Sequence, residues 1–323
     1  MAAVRTARIR EPLALGPLAG LAAVIATGIL WGTIGVVTGQ LKAAFPNPSG
    51  PGSALSSLVL VAIRLGITAP AAALTARLLL GRGAFRIPLH GIALGLGLGL
   101  VQAFFQYAYV EAVTNAGVGV ATAIELCLAP VLVATIGAVA LRERPDRLIL
   151  GAIACAAIGT VVLSLSGSDP KFAATFQAGI LWSLACMVGY ATYIVLARRF
   201  TAQIHPLELV ALASAGGFAV LALPAASIGL PNLAGVDLVV PALQFAYLAL
   251  VATCLAYALF VSGVRATSAT TGSLGALAMP PTATILAALI LGQAPSIPAV
   301  IGQLLLMAAM AATIVRTARQ GAR

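Results

Sequence analysis

The feature that most constrains this chain is a series of ten apolar runs, each long enough to cross a lipid bilayer. A transmembrane helix needs roughly 20 mostly apolar residues. Clusters of charge, proline and glycine separate the runs, and these breaks predict spans at 18–40, 55–80, 88–111, 116–141, 147–167, 176–198, 206–229, 239–264, 267–291 and 297–316. The runs are continuously apolar rather than alternating, which excludes the strands of a membrane β-barrel. We therefore expect an all-α polytopic membrane protein.

Charged residues are scarce, at 8% of the chain, while 61% of the residues are hydrophobic. Soluble domains have about 25% charged and about 45–50% apolar residues. The 18 Lys and Arg outnumber the 8 Asp and Glu, but nucleic-acid binding needs a basic stripe on a water-facing surface. Here the cations lie in short clusters between the apolar runs. We therefore expect the lipid bilayer, and no nucleic acid, among the partners.

The placement of the cations also predicts the orientation of the chain. With the N-terminus in the cytoplasm, ten spans put almost every Lys and Arg on the cytoplasmic side. Lys42 and Lys171 are the exceptions that face outside, and Arg64 lies within the second run. Such an asymmetry is the rule for membrane proteins. We predict a multi-pass protein of the bacterial cytoplasmic (inner) membrane with both termini in the cytoplasm.

The two halves of the chain resemble each other. Gly28–Trp31 recurs as Gly179–Trp182, and Leu141–Pro145 lines up with Leu291–Pro295. Each half holds five spans, and because five is odd the second half enters the membrane inverted. Inverted repeats are a common plan for secondary transporters, which bind substrate near the midplane between the repeats. We divide the chain into a cytoplasmic tail (1–17), a first repeat (18–167), an outer linker (168–175), a second repeat (176–316) and a second cytoplasmic tail (317–323).

A family pattern runs through both halves. The first half carries Trp31-Gly32, Arg64 and the series from Tyr107 through Pro130 to Glu143, and the second half repeats the pattern at Trp182, at Tyr257 and from Pro280 to Pro295. In these residues the chain resembles the EamA-type branch of the drug/metabolite transporter superfamily. The chain departs from the pattern at Gln293, where the second repeat usually carries an acid like Glu143. We expect this departure to cause little loss of function.

The resemblance implies ten transmembrane helices in two inverted five-helix repeats around a central cavity. It also implies a secondary transporter that moves a small organic solute by alternating access, with export as the expected direction. Related proteins export amino acids, other metabolites or drugs. The resemblance does not choose among these substrates.

Two charged residues lie deep inside predicted spans. Arg64 is some ten residues into the second span and Glu125 is similarly deep in the fourth, which at ~1.5 Å per residue places both near the midplane. Charged side chains in a span are costly, so they normally face a partner or water. One interpretation is that Arg64 binds a substrate carboxylate and Glu125 binds an amine or a coupling proton. The alternative is a structural salt bridge between two helices.

Polar and aromatic side chains form further candidate cavity walls. Gln102, Gln106 and Tyr109 share one face of the third span at i, i+4 and i+7. Interhelical hydrogen bonding is the alternative for the glutamines, and ordinary packing or interfacial anchoring is the alternative for the aromatics. The remaining candidate binding residues are Trp31, Trp182, Tyr190 and Tyr257, and the candidate hinges are Pro130, Pro280 and Pro281.

Other classes of function lack their sequence signals. The four cysteines are isolated, the chain has no HExxH motif, and no Walker A loop marks an ATP-driven pump. We therefore predict no enzyme activity, no catalytic residues, no metal site and no cofactor. A small-molecule substrate, the bilayer and a coupling proton are the expected partners. A non-transporting membrane sensor or assembly protein is the alternative to a carrier.

Overall fold

We describe the fold from a computed structural model for residues 16–45, 55–140, 147–165, 174–200, 204–231, 233, 237–266 and 278–321, and within these ranges it is helical with short connections. The helices are α1 (Pro17–Ala44), α2 (Ser57–Leu80), α3 (Leu89–Ala116), α4 (Val118–Ala140), α5 (Arg147–Leu165), α6 (Phe176–Phe200), α7 (Pro206–Ile228), α8 (Val239–Ala246), α9 (Ala256–Ala266), α10 (Met279–Leu291) and α11 (Ile297–Gly321). A π-helical segment, Tyr247–Leu255, joins α8 to α9, so the three form one continuous rod.

The helices coincide with the predicted spans. Among the described residues, six segments are long and apolar enough to cross a membrane: Leu18–Ala44, Ser57–Leu80, Leu89–Ala116, Phe176–Ala197, Pro206–Ile228 and Val239–Phe260. Shorter apolar helices fall in the four remaining predicted spans. Large apolar side chains such as Leu74, Leu78, Leu223 and Leu289 are exposed on the outside of the bundle, as expected of a surface that faces lipid. The prediction of an all-α polytopic membrane protein is confirmed.

The helix pairs follow the symmetry of two inverted five-helix repeats. Helix α3 of the first repeat packs against α6 of the second, and in the equivalent pair the α8–α9 rod of the second repeat packs against α1 of the first. Three further pairs relate equivalent helices of the two repeats, namely α2 with α7, α4 with α10 and α5 with α11. The repeats are therefore interleaved, and the space at the centre is bounded by both.

Close helix approach depends on glycine, most clearly between α3 and α7. A Cβ atom on Gly99 would collide with the backbone of Ala213 and Gly217. A Cβ atom on Gly97, two residues earlier, would meet nothing within 4 Å. Small residues at helix contacts let backbones approach in a bilayer, where dispersion contacts drive association. This packing draws α3 inward and holds its glutamines near the centre of the bundle.

The predicted hinge prolines lie in different helical contexts. Pro280 and Pro281 are in the first turn of α10, where proline is tolerated because the first N–H groups have no intrahelical acceptor. Pro130 is within α4, which runs unbroken past it, and its side chain is outside the described set. Their role as hinges stays a prediction. The cationic segment 1–15 and the Glu143 loop also lie outside the described residues.

Candidate functional site

A cavity of about 120 Å³ lies at the centre of the bundle. Both repeats contribute to it, through α1, α2, α3 and α4 on one side and α6, α7, the α8–α9 rod and α10 on the other. The lining residues are Trp31, Ile34, Arg64, Gln102, Phe105, Gln106, Tyr109, Thr122, Glu125, Leu126, Tyr190, Tyr193, Val210, Ala252, Thr253, Tyr257 and Met279. All the predicted binding residues except Trp182 are in this set.

Arg64 reaches the cavity from α2. The helix begins after Ser56, whose Oγ accepts a hydrogen bond from the Leu58 N–H at 3.3 Å. Further along, Leu65 and Gly66 pack against Gly217 and Phe218 of α7, and the guanidinium faces the interior with only 7% of the residue exposed. Among the described residues it forms neither a hydrogen bond nor an ion pair, although it interacts electrostatically with Glu125. A buried cation of this kind favours an anionic partner inside the cavity.

Glu125 faces the same cavity from α4 and is equally buried. Its carboxyl group interacts with the thiol of Cys186, whose Sγ donates a hydrogen bond to the carbonyl oxygen of Phe105 at 3.2 Å. A thiol is a weak hydrogen-bond donor. The carboxyl group therefore keeps most of its capacity to bind a stronger donor or a proton.

The amide groups of α3 supply unused acceptors. Gln102 donates from Nε2 to Ser214 Oγ at 3.3 Å. Its Oε1 atom and that of Gln106 are buried and accept no hydrogen bond from any described residue. Leaving a buried polar atom unsatisfied costs about 1–3 kcal/mol. Both oxygens are therefore suited to an N–H or O–H donor that enters the cavity.

Aromatic rings form the rest of the wall in two groups. Trp31 contacts Tyr257 edge-on, with ring centroids 5.3 Å apart. Phe105 contacts Tyr190 at 5.5 Å and Tyr193 at 5.3 Å. Tyr193 and Tyr257 interact with each other and link the two groups. These contacts hold the rings in defined orientations around the polar centre.

The two repeats contribute different chemistry to the cavity. Every charged and amide side chain of the lining comes from α2, α3 or α4. The second repeat contributes three tyrosines, one threonine and apolar residues. The charged and amide groups of the cavity thus come from the first repeat, whereas both repeats contribute three aromatic side chains each.

Comparison with known proteins identifies the family. Residues 18–165 and 177–315 each match the EamA-like transporter family. The chain belongs to this family. A curated relative, described as the uncharacterized inner membrane transporter YicL of Salmonella typhimurium, is 26% identical over 205 residues, which are 64% of this chain and 67% of that protein. A solved crystal structure with 23% identity superposes with a TM-score of 0.59 over 95% of this chain and 99% of the other, which shows a shared fold.

Trp182 does not line the cavity of this EamA-like transporter. Its indole packs edge-on against Tyr107, with centroids 5.5 Å apart and planes at 90°. On α6, Met187 and Ala191 pack in one cluster with Ala129, and Tyr190 between them lines the cavity.

Trp182 and Trp31 have similar aromatic neighbours in the two repeats. Trp182 pairs edge-on with Tyr107 as Trp31 pairs with Tyr257. Trp31 lines the cavity and Trp182 does not, and on α6 that place is taken by Tyr190, about two helical turns further along.

Several lining residues were not among the sequence candidates. Thr122 is three residues before Glu125 on the same face of α4, and its Oγ1 is 2.9 Å from the Tyr109 hydroxyl. Helical spacing from Glu125 was enough to find it. Val210 and Met279 carry no such signal, because an apolar side chain that faces a cavity looks the same in sequence as one that faces lipid.

Proposed function

We propose that this protein is a secondary transporter of a small zwitterionic solute, such as an amino acid or a related metabolite, and that it works by alternating access between the inverted repeats. The observation that carries the proposal is the central cavity, which combines a guanidinium and a carboxyl group that do not pair with each other. Pockets for drug-sized ligands measure about 300–1,000 Å³, so a cavity of about 120 Å³ suits a smaller molecule.

Each polar group has a distinct role in this proposal. Arg64 binds the substrate carboxylate, for which a guanidinium has matching geometry. The free oxygens of Gln102 and Gln106 accept N–H groups from the substrate amine. Glu125 holds either the ammonium charge or a coupling proton. The aromatic wall receives the apolar part of the substrate, and its rings also suit a cationic group.

The proposed setting is the bacterial inner membrane, with both termini in the cytoplasm and export as the direction of transport. The distribution of the cations supports this orientation. The description of the Salmonella relative as an inner membrane transporter supports the same compartment. Alternating access is supported by the interleaved packing of equivalent helices, since each repeat can adopt the conformation of the other.

Counterflow in proteoliposomes tests the proposal. Vesicles with and without the protein are loaded with a panel of amino acids and cationic dyes, and exchange of labelled solute is followed at two external pH values. We expect the protein to accelerate exchange of zwitterions. If folded protein neither exchanges nor binds any solute of the panel, the zwitterion proposal is contradicted. Exchange of the dyes alone would change the proposed substrate class to organic cations.

A further inference from the structure

We propose that Gln293 is a positioning residue that closes one face of the transporter by holding the start of α4 across the two repeats. The far face is defined as the membrane face at which α1 ends. Because consecutive membrane-spanning helices run in opposite directions, α4 begins at this face and α10 ends at it. The inference rests on the proposed alternating access, because only a protein whose repeats separate needs a contact that forms and breaks between them.

The contact is a hydrogen bond from the Val118 N–H to Gln293 Oε1 at 3.0 Å. Val118 belongs to the first repeat and Gln293 to the second. The first N–H groups of a helix have no acceptor within the helix and need one from elsewhere. Gln293 supplies that acceptor from the other repeat.

Two glycines put the donor and the acceptor in place. Gly117, at φ +86°, ends α3 and lets α4 begin at the next residue. Gly292, at φ +66°, ends α10, and the N–H groups of Gly292 and Gln293 both bond back to the Ala287 carbonyl. Residues other than glycine rarely adopt positive φ. Both helix ends are therefore built with turns that bring Val118 and Gln293 together.

Close packing surrounds the bond. A Cβ atom on Gly35 of α1 would collide with the Tyr109 hydroxyl and the Val118 side chain, and one on Gly39 would lie 2.8 Å from Leu291 Cδ1. Four helices, α1, α3, α4 and α10, thus meet at the far face. Tyr109 also lines the cavity, so this junction covers the cavity on that side. Opening at the far face requires α4 and α10 to separate.

A neutral amide makes this contact weaker than the acid that the family pattern usually carries at this position would make it. A carboxylate at this position would place a negative charge at the N-terminus of α4, where it interacts favourably with the helix dipole. Its hydrogen bond would also be charge-assisted and stronger. The glutamine therefore closes the face without holding it as tightly as a glutamate would, and Gln293→Glu is expected to favour the closed state.

Thiol labelling measures closure directly. Ile34, which lines the cavity one residue before Gly35, is replaced by cysteine after the four native cysteines are replaced by alanine or serine. A membrane-impermeant maleimide is added to vesicles of known orientation from the far face, with no substrate present. We expect Gln293→Leu to raise the labelling rate of this cysteine several-fold and Gln293→Glu to lower it.

Asn115→Leu is the matched control. It removes an amide near the same face whose Nδ2 donates within α3, to the Glu111 carbonyl at 2.8 Å, so labelling should stay unchanged. Equal labelling of the wild type and both Gln293 variants overturns the proposal. If Gln293→Leu does not fold, Gln293→Glu decides, since it keeps an acceptor and must slow labelling. Altered labelling without solute exchange would support the closing role of Gln293 and contradict the proposed transport. Solute exchange with unaltered labelling would support transport and contradict the closing role.

Discussion

Arg64 of α2 and Glu125 of α4 face one cavity without forming an ion pair. Their burial and opposite charge had allowed a structural salt bridge as an alternative to a binding site. A salt bridge that serves stability needs close contact to offset the loss of hydration. Because that contact is absent between these two described residues, both groups are open to a zwitterion whose two charges are separated by a few bonds.

Replacement of Arg64 should weaken binding selectively. We expect Arg64→Ala to raise the Kd of substrates with a carboxylate roughly 10- to 100-fold, the equivalent of a lost hydrogen bond to a charged group. Amines that lack a carboxylate should be affected much less. Binding is measured on purified protein with both solute classes. Arg77→Ala on the same helix, where Arg77 is exposed and bonds to the Gly81 carbonyl, is the control. Equal loss for every solute would favour a structural role for Arg64.

Glu125→Gln should abolish the pH dependence of transport without affecting folding. Glutamine has nearly the shape of a protonated glutamate but does not titrate. We expect the variant to reach the membrane at the wild-type level and to show a flat rate between pH 5 and 8, whereas the wild-type rate varies with pH. The measurement is counterflow at a series of pH values. The control is Glu111→Gln, near the end of α3 and outside the cavity lining. A wild-type pH profile in Glu125→Gln would rule out the coupling role of Glu125.

The contact between α3 and α7 predicts opposite outcomes for two glycines. Gly99→Ala should lower the yield and thermal stability of folded protein, because its Cβ meets backbone that cannot move aside and overpacking costs about 1–3 kcal/mol. Gly97→Ala should be tolerated, since that site is open and alanine is the better helix former. Fluorescence-detected size exclusion with a temperature series compares the two. Similar profiles for both variants would contradict the close approach.

Tyr190 and Trp182 should differ in the property they affect. Tyr190 lines the cavity and contacts Phe105, so Tyr190→Leu should raise the Kd of substrates with an aromatic side chain roughly 2- to 10-fold, in line with about 0.5–1.5 kcal/mol for an aromatic pair. Trp182→Leu should lower thermal stability and leave Kd unchanged. Titration of both variants with one aromatic and one aliphatic solute provides the measurement. A larger binding loss in Trp182→Leu than in Tyr190→Leu would contradict the placement of Tyr190, rather than Trp182, at the binding site.

Glu208, at the start of α7, is an acid whose surroundings could not be predicted from the sequence alone. An acid at the start of the seventh span suggests a solvated carboxylate, but Glu208 is buried. Its Oε1 accepts the Phe85 N–H at 2.5 Å and its Oε2 accepts the His205 N–H at 3.1 Å. The carboxylate thus caps α7 and ties the loop between α2 and α3 to the second repeat. The capping half of this role is readable from local spacing, whereas the bond to Phe85 depends on the tertiary fold.

The sequence by itself determined the class of the protein and the helical spans, and it predicted that Arg64 and Glu125 lie near the midplane. Hydrophobicity over about 20 residues is a local property, and the cost of leaving backbone groups unpaired in lipid makes each such run a helix. The face shared by Gln102, Gln106 and Tyr109 was also readable, since it follows from helical spacing within one segment.

Only the tertiary structure decided which helices surround the cavity, that Tyr190 rather than Trp182 lines it, and that Gln293 bonds to Val118. These facts depend on how helices pack, and lipid and protein interior are both apolar. The hydrophobic pattern therefore does not distinguish a side chain that faces a neighbouring helix from one that faces lipid. Which side chains face a neighbouring helix is known only from the contacts between the helices of the two repeats.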